Sequence, residues 1–185
     1  MSSKEQFIQD IRTARTHQVK WINQIKLIVS GVLHEKDAVP VNQNDSDFSR
    51  WLYDEAMIFS TSNAKNVIDE MVDLHTKCYD VYLKIYGILF AGQKSGIMAM
   101  FGSRKAGSSD LKLAQNYYEE LLTVSDQLLS RLRSFESQML ATPDAKFEEL
   151  IIKSVPETPA PSPEKEQSST GPKQKMYFRG QLIEG

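Results

Sequence analysis

The sequence predicts an all-α protein, an antiparallel four-helix bundle with long helices followed by a disordered Pro-rich tail. Six of the seven prolines lie after residue 140, so helix breakers are scarce before it. The intervals from Gly31 to Gly87 and from Gly107 to Gly171 hold no glycine, which permits uninterrupted helices there. Apolar residues recur at alternating steps of three and four along three stretches, the period of a helix with one buried face.

The first stretch runs from about Ser3 to Val32, carrying Phe7, Ile11, Ala14, Trp21, Ile25, Ile28 and Val32, broken only at position 18. At about 1.5 Å per residue, some 30 residues span roughly 45 Å, the length of a bundle helix. Lys36 to Asp47, with Pro40 and the polar run Asn42-Gln43-Asn44-Asp45, reads as a loop. A short second helix follows from about Phe48 to Phe59, capped by Ser46 or Asp47, with Trp51, Leu52, Ala56 and Phe59 on one side. The third runs from about Ser62 to Phe90. Its seam is Val67, Met71, Leu74, Cys78, Val81, Ile85 and Ile88, widened by Val72, Tyr79, Tyr82, Tyr86 and Leu89.

A Gly-rich segment, 92–108, reads as a mobile loop. The fourth helix, capped by Ser109 or Asp110, carries Leu111, Ala114, Tyr118, Leu121, Leu128, Leu132, Phe135 and Met139 and ends at Thr142-Pro143-Asp144. The bundle thus occupies 1–141, a short amphipathic helical segment 142–153, a disordered linker 154–173 and a short terminal peptide 174–185.

Composition removes several function classes. A formal net charge of −2 offers no electrostatic footprint for nucleic acid, and the single Cys78 allows no internal disulfide. No run of apolar residues is long enough to span a membrane, and the polar opening lacks a signal peptide's apolar core, so the chain reads as cytoplasmic with no integral membrane segment. Phosphate loops, Gly-x-Ser-x-Gly and His-Glu-x-x-His are all missing, and Asp69-Glu70 and Glu148-Glu149 read as surface charge, which predicts a protein that is not an enzyme.

One constellation stands above background: Ala14-Arg15-Thr16-His17-Gln18-Val19-Lys20-Trp21, Ser30-Gly31, Asp45-Ser46-Asp47-Phe48-Ser49-Arg50-Trp51-Leu52-Tyr53, and His75 followed by Tyr79 and Tyr82. From about Ile11 to Phe90 the chain resembles the bacterial chemoreceptor zinc-binding domain. The resemblance implies a cytoplasmic four-helix bundle attached to chemoreceptors or diguanylate cyclases and holding one zinc through three histidines and a cysteine. Carried over position by position, the ligand sites fall on Gln18, Ser46, His75 and Tyr79, so three of the four ligands are replaced.

His17 sits one residue off the seam, about 100° around the helix. An amide, an alcohol and a phenol are poor zinc donors, so no family-type zinc and no other cofactor is expected. Two readings of the remnant stand. In one, His75, Cys78 and His17 still bind a metal, zinc first, or Cys78 responds to oxidants. In the other, Cys78 is a seam hydrophobe, and a hydrogen-bonded cluster of Gln18, Ser46, His75 and Tyr79 has taken the place of the metal.

The expected function is regulation by contact with a protein partner in a bacterial signalling pathway, as a homodimer by analogy with the family. The terminal peptide Met176, Tyr177, Phe178 and Arg179 reads as the partner-binding contact. The segment from Ile97 to Lys105, apolar and basic together, offers a second surface for a partner or an anionic membrane.

Overall fold

The structure, a computed structural model, describes residues 2–35, 37–90, 107–154, 177–178 and 181–182. Helix α1, Ser3–Val29, opens on a reciprocal cap: Ser2 Oγ accepts from the Glu5 N–H at 3.2 Å and the Glu5 carboxylate accepts from the Ser2 N–H at 2.9 Å. It buries Phe7, Ile11, Ala14, Gln18, Trp21, Ile25 and Ile28, so position 18 belongs to the seam although it is polar. The helix stops three residues earlier than the periodicity predicts. The Gly31 N–H donates to the Ile28 carbonyl and the Val32 N–H to that of Leu27, with Gly31 at φ 70°, the Schellman arrangement that glycine permits. Val32, expected in the seam, is therefore 69% exposed.

After a 3-10 helix, Gln43–Asp45, helix α2 spans Asp47–Asp54 with Ser46 as its N-cap. The second helix expected to reach Phe59 breaks here, and Ala56–Thr61 continue as a 3-10 helix. Helix α3 begins only at Lys65 and runs to Phe90. The delay has a local cause: Ser62 Oγ donates to the Phe59 carbonyl at 2.7 Å and accepts from the Ala64 N–H at 3.1 Å, giving the backbone an alternative to continuous helix. The buried face of α3 is Ile68, Met71, His75, Cys78, Tyr79, Val81, Tyr82 and Ile85, whereas Val67, Leu74 and Ile88 are only half-buried. The face is thus turned from the expected seam toward the polar residue His75.

Helix α4, Ser108–Ala141, is capped by Gly107 and not by Ser109 or Asp110; Asp110 instead accepts from the Gly107 N–H at 3.0 Å. Leu111 lies outside its buried stripe at 41% exposure, and Ser125 lies inside it. Helix α4 packs against both α1 and α3, α2 packs on α1, and the second 3-10 helix packs on α3. Pairs rising on α1 fall on α4, from Lys4 with the Leu140 carbonyl through Arg12 with Glu136 to Gln18 with Ser125, so the two run antiparallel. Glu70 with Arg131 and Lys84 over Tyr117 place α3 and α4 antiparallel as well.

Helix α5, Asp144–Ser154, folds back on one end of this assembly. Its Phe147 is fully buried, with ring centroids 5.7 Å from Phe7 and 5.1 Å from Phe59. The Lys4 ammonium ties the same corner, donating to the Leu140 and Thr142 carbonyls and to Asp144 at 3.1, 2.6 and 3.1 Å. That places a cation on the carbonyl end of α4, where the helix dipole favours it.

Residues 156–185 form a separate unit. Within it strands β1, Tyr177–Phe178, and β2, Gln181–Leu182, pair antiparallel, Tyr177 opposite Leu182 and Phe178 opposite Gln181. Of the expected contact peptide, Met176 and Arg179 lie outside the described residues, as do residues 92–106 of the loop expected at 92–108, the Ile97 to Lys105 surface and all but Ser154 of the linker expected at 154–173; Ser108 and Ser154 belong to helices. Among the described residues, no helix is long and apolar enough to cross a membrane.

Candidate functional site

The four positions singled out in the sequence, Gln18, Ser46, His75 and Tyr79, line one cleft of about 210 Å³. α1 supplies Gln18 with His17, Lys20 and Trp21; the start of α2 supplies Ser46, Asp47 and Phe48; α3 supplies His75 and Tyr79 one turn apart. Ala38 and Pro40 close one side. That loop is pinned by the Tyr82 hydroxyl, which donates to the carbonyl of fully buried Val39 at 3.1 Å.

The polar contacts form two sets, and neither is the single cluster expected. In the first, His75 Nε2 meets Ser49 Oγ at 2.6 Å, and Ser49 Oγ meets Ser46 Oγ at 2.7 Å. Ser49 Oγ also donates to the Gln43 carbonyl, which has no proton to give. A hydroxyl has one proton, so with that of Ser49 on the Gln43 carbonyl, which Ser46 Oγ also reaches at 3.3 Å, the proton between His75 and Ser49 is that of His75 Nε2, and His75 Nδ1 is left as an acceptor with no hydrogen bond. In the second set, Gln18 Nε2 donates to Ser125 Oγ at 3.3 Å and faces Cys78 Sγ at 4.0 Å. Gln18 therefore bonds across to α4 and not to His75 or Ser46.

Tyr79 was expected in the cluster but its hydroxyl makes no hydrogen bond of normal geometry. Burial pushes this phenol up, with polar atoms of Ser46 and Trp21 pulling the other way and the Asp45 charge adding to the rise. Its ring stacks on Trp21 at 5.0 Å and meets His75 edge-on at 5.2 Å, so packing holds it in place. His17, expected off the site, is half-buried and lines the cleft, with Nδ1 3.9 Å from Asp47 Oδ2.

Ser49 and Ser125 were missed from the sequence. Each left a signal: Ser49 stands three residues after the cap Ser46, within reach of its hydroxyl, and Ser125 fills the one missing step between Leu121 and Leu128.

This donor set does not fit zinc. Gln18 offers an amide, Ser46 an alcohol engaged with Ser49 and Tyr79 a phenol that burial keeps protonated, which leaves the Nδ1 of His75 as the one good donor among the four. Cys78 stands apart from the cleft lining, and burial pushes its thiol up to about 12, which leaves almost no thiolate for a metal or an oxidant. Among the described residues, no group of three His, Cys, Asp or Glu is placed to hold a metal ion.

The short Ser49–His75 contact has the look of a nucleophile and base, but the proton assignment is the wrong one. His75 donates to the hydroxyl where a general base has to accept from it, and Ser49 is only 1% exposed. No family model matches the chain, and no curated protein or solved structure matches it either.

Proposed function

We propose that the chain is a bacterial signalling module that regulates by contact, built as a divergent four-helix bundle of the chemoreceptor zinc-binding type in which hydrogen bonds stand where the family holds its metal. The observation that supports it most is the convergence of Gln18, Ser46, His75 and Tyr79, chosen from the sequence, in one cleft. The neighbour order α1, α4, α3 and then the broken α2 back to α1 suits a four-helix bundle whose fourth member has shortened.

In this reading the protein works in the cytoplasm without catalysis. Its output passes through a protein partner, with the terminal peptide around Tyr177 and Phe178 as the contact and a homodimer presenting two such peptides at once. The metal layer, which in the family responds to zinc, is here a fixed polar layer. Elemental analysis of the untagged protein, paired with thermal unfolding before and after a chelator, tests the exchange. The expected result is no stoichiometric zinc and an unchanged midpoint; one zinc per chain, with stability lost on chelation, overturns it.

A further inference from the structure

The same cleft has properties that the replacement of a metal does not call for. Of the six buried side-chain polar atoms without a hydrogen bond of normal geometry among the described residues, four belong to its lining: His17 Nδ1, which faces Asp47 at 3.9 Å, Trp21 Nε1 and Tyr79 Oη, which interact with each other, and His75 Nδ1, which is the bare one. Trp21, His75 and Tyr79 are each more than nine-tenths buried. Left unanswered, the His75 acceptor costs about 1 to 3 kcal/mol unless something supplies its partner. A fixed polar layer whose only task is to fill a vacated site has no reason to keep a bare imidazole acceptor in its lining.

The cleft also carries charges that no ion pair takes up. Asp47 is bonded to Arg50, but Asp45 on the 3-10 helix and Lys20 on α1 line the cleft, and neither makes an ion pair among the described residues. The cleft therefore presents one free carboxylate and one free ammonium from different elements. The same lining holds the aromatic rings of Trp21, Phe48 and Tyr79, the Trp21 N–H donor and the bare His75 acceptor. A volume of about 210 Å³ falls below the roughly 300 Å³ at which drug-sized pockets begin, which suits a small metabolite.

We propose that this cleft binds a free amino acid as its zwitterion, the ligand's ammonium facing Asp45 and its carboxylate facing Lys20, with its side chain against the aromatic wall. A simple cation would leave Lys20 opposed, and a simple anion would leave Asp45 opposed; only a molecule carrying both charges answers both. The inference goes beyond the regulatory reading above, and its test is independent of zinc content.

The experiment follows the unfolding midpoint and the tryptophan fluorescence of the full chain with each of the common amino acids at millimolar concentration. Ethylammonium and propionate serve as the two half-molecules. The expected result is a saturable rise in midpoint with at least one amino acid and none with either half. Asp45→Asn and Lys20→Gln are each expected to weaken binding about tenfold or more, the scale of a lost charged hydrogen bond. Both side chains are exposed, so the unliganded midpoint should not move. The proposal is overturned if no amino acid shifts the midpoint, which leaves the cleft to water alone, if a half-molecule acts as strongly as the whole, or if binding survives both substitutions.

Discussion

His75 is the residue on which the site turns. It is 1% exposed, and burial lowers its imidazole from 6.5 to about 4. Because the folded value lies below the unfolded one, the unfolded chain takes up a proton first as the pH falls. Stability is then fully present above about 6.5 and is lost as the pH drops toward 4, by on the order of 3 kcal/mol in total. Denaturant unfolding between these values should show that slope, and His75→Gln should flatten it. An unchanged slope in the variant would mean that other groups carry the acid sensitivity. The resemblance points to His75 as one of its four ligand positions, yet the partner of His75, Ser49, is not legible in the sequence. A serine at the third position of a helix reads as ordinary cap chemistry, and only the approach of α3 makes it the acceptor for an imidazole.

At the scale of elements, the three long helices were legible because their burial follows the helical period, which a sequence displays directly. Their ends were less so. The stop of α1 depends on Gly31 taking a positive φ, and the break after α2 on hydroxyl bonds from Ser62, both local events that an apolar pattern running through them conceals. The face of α3 was misjudged for a related reason: an inward histidine scores as polar, so the seam was drawn through Leu74, one residue before it. Helix α5 shows how a short element is held by one side chain. With Phe147 wedged against Phe7 and Phe59, Phe147→Ala should cost about 3 to 5 kcal/mol and release α5, which limited proteolysis near residues 144–154 would register as faster cleavage. Cleavage as slow as in the parent would show that the Lys4 bonds hold α5 without it.

For the whole molecule, the architecture brings α1, the start of α2 and α3 together around one cleft, while Gln18 ties that cleft's lining to Ser125 on α4. The positions that meet there are those a resemblance covering about Ile11 to Phe90 singles out in the sequence. What the sequence could not reveal is how they bond, because hydrogen bonds between helices depend on rotations of a few tens of degrees that no spacing records. The central claim is that a hydrogen-bonded layer stands at a metal's former position, and zinc binding by a rebuilt site tests it most directly. The chain carrying Gln18→His, Ser46→Cys and Tyr79→His, with His75 kept, should take up one zinc per chain and gain thermal stability with it, while the parent takes up none. A rebuilt chain that keeps its helical content and still binds no zinc would contradict the account.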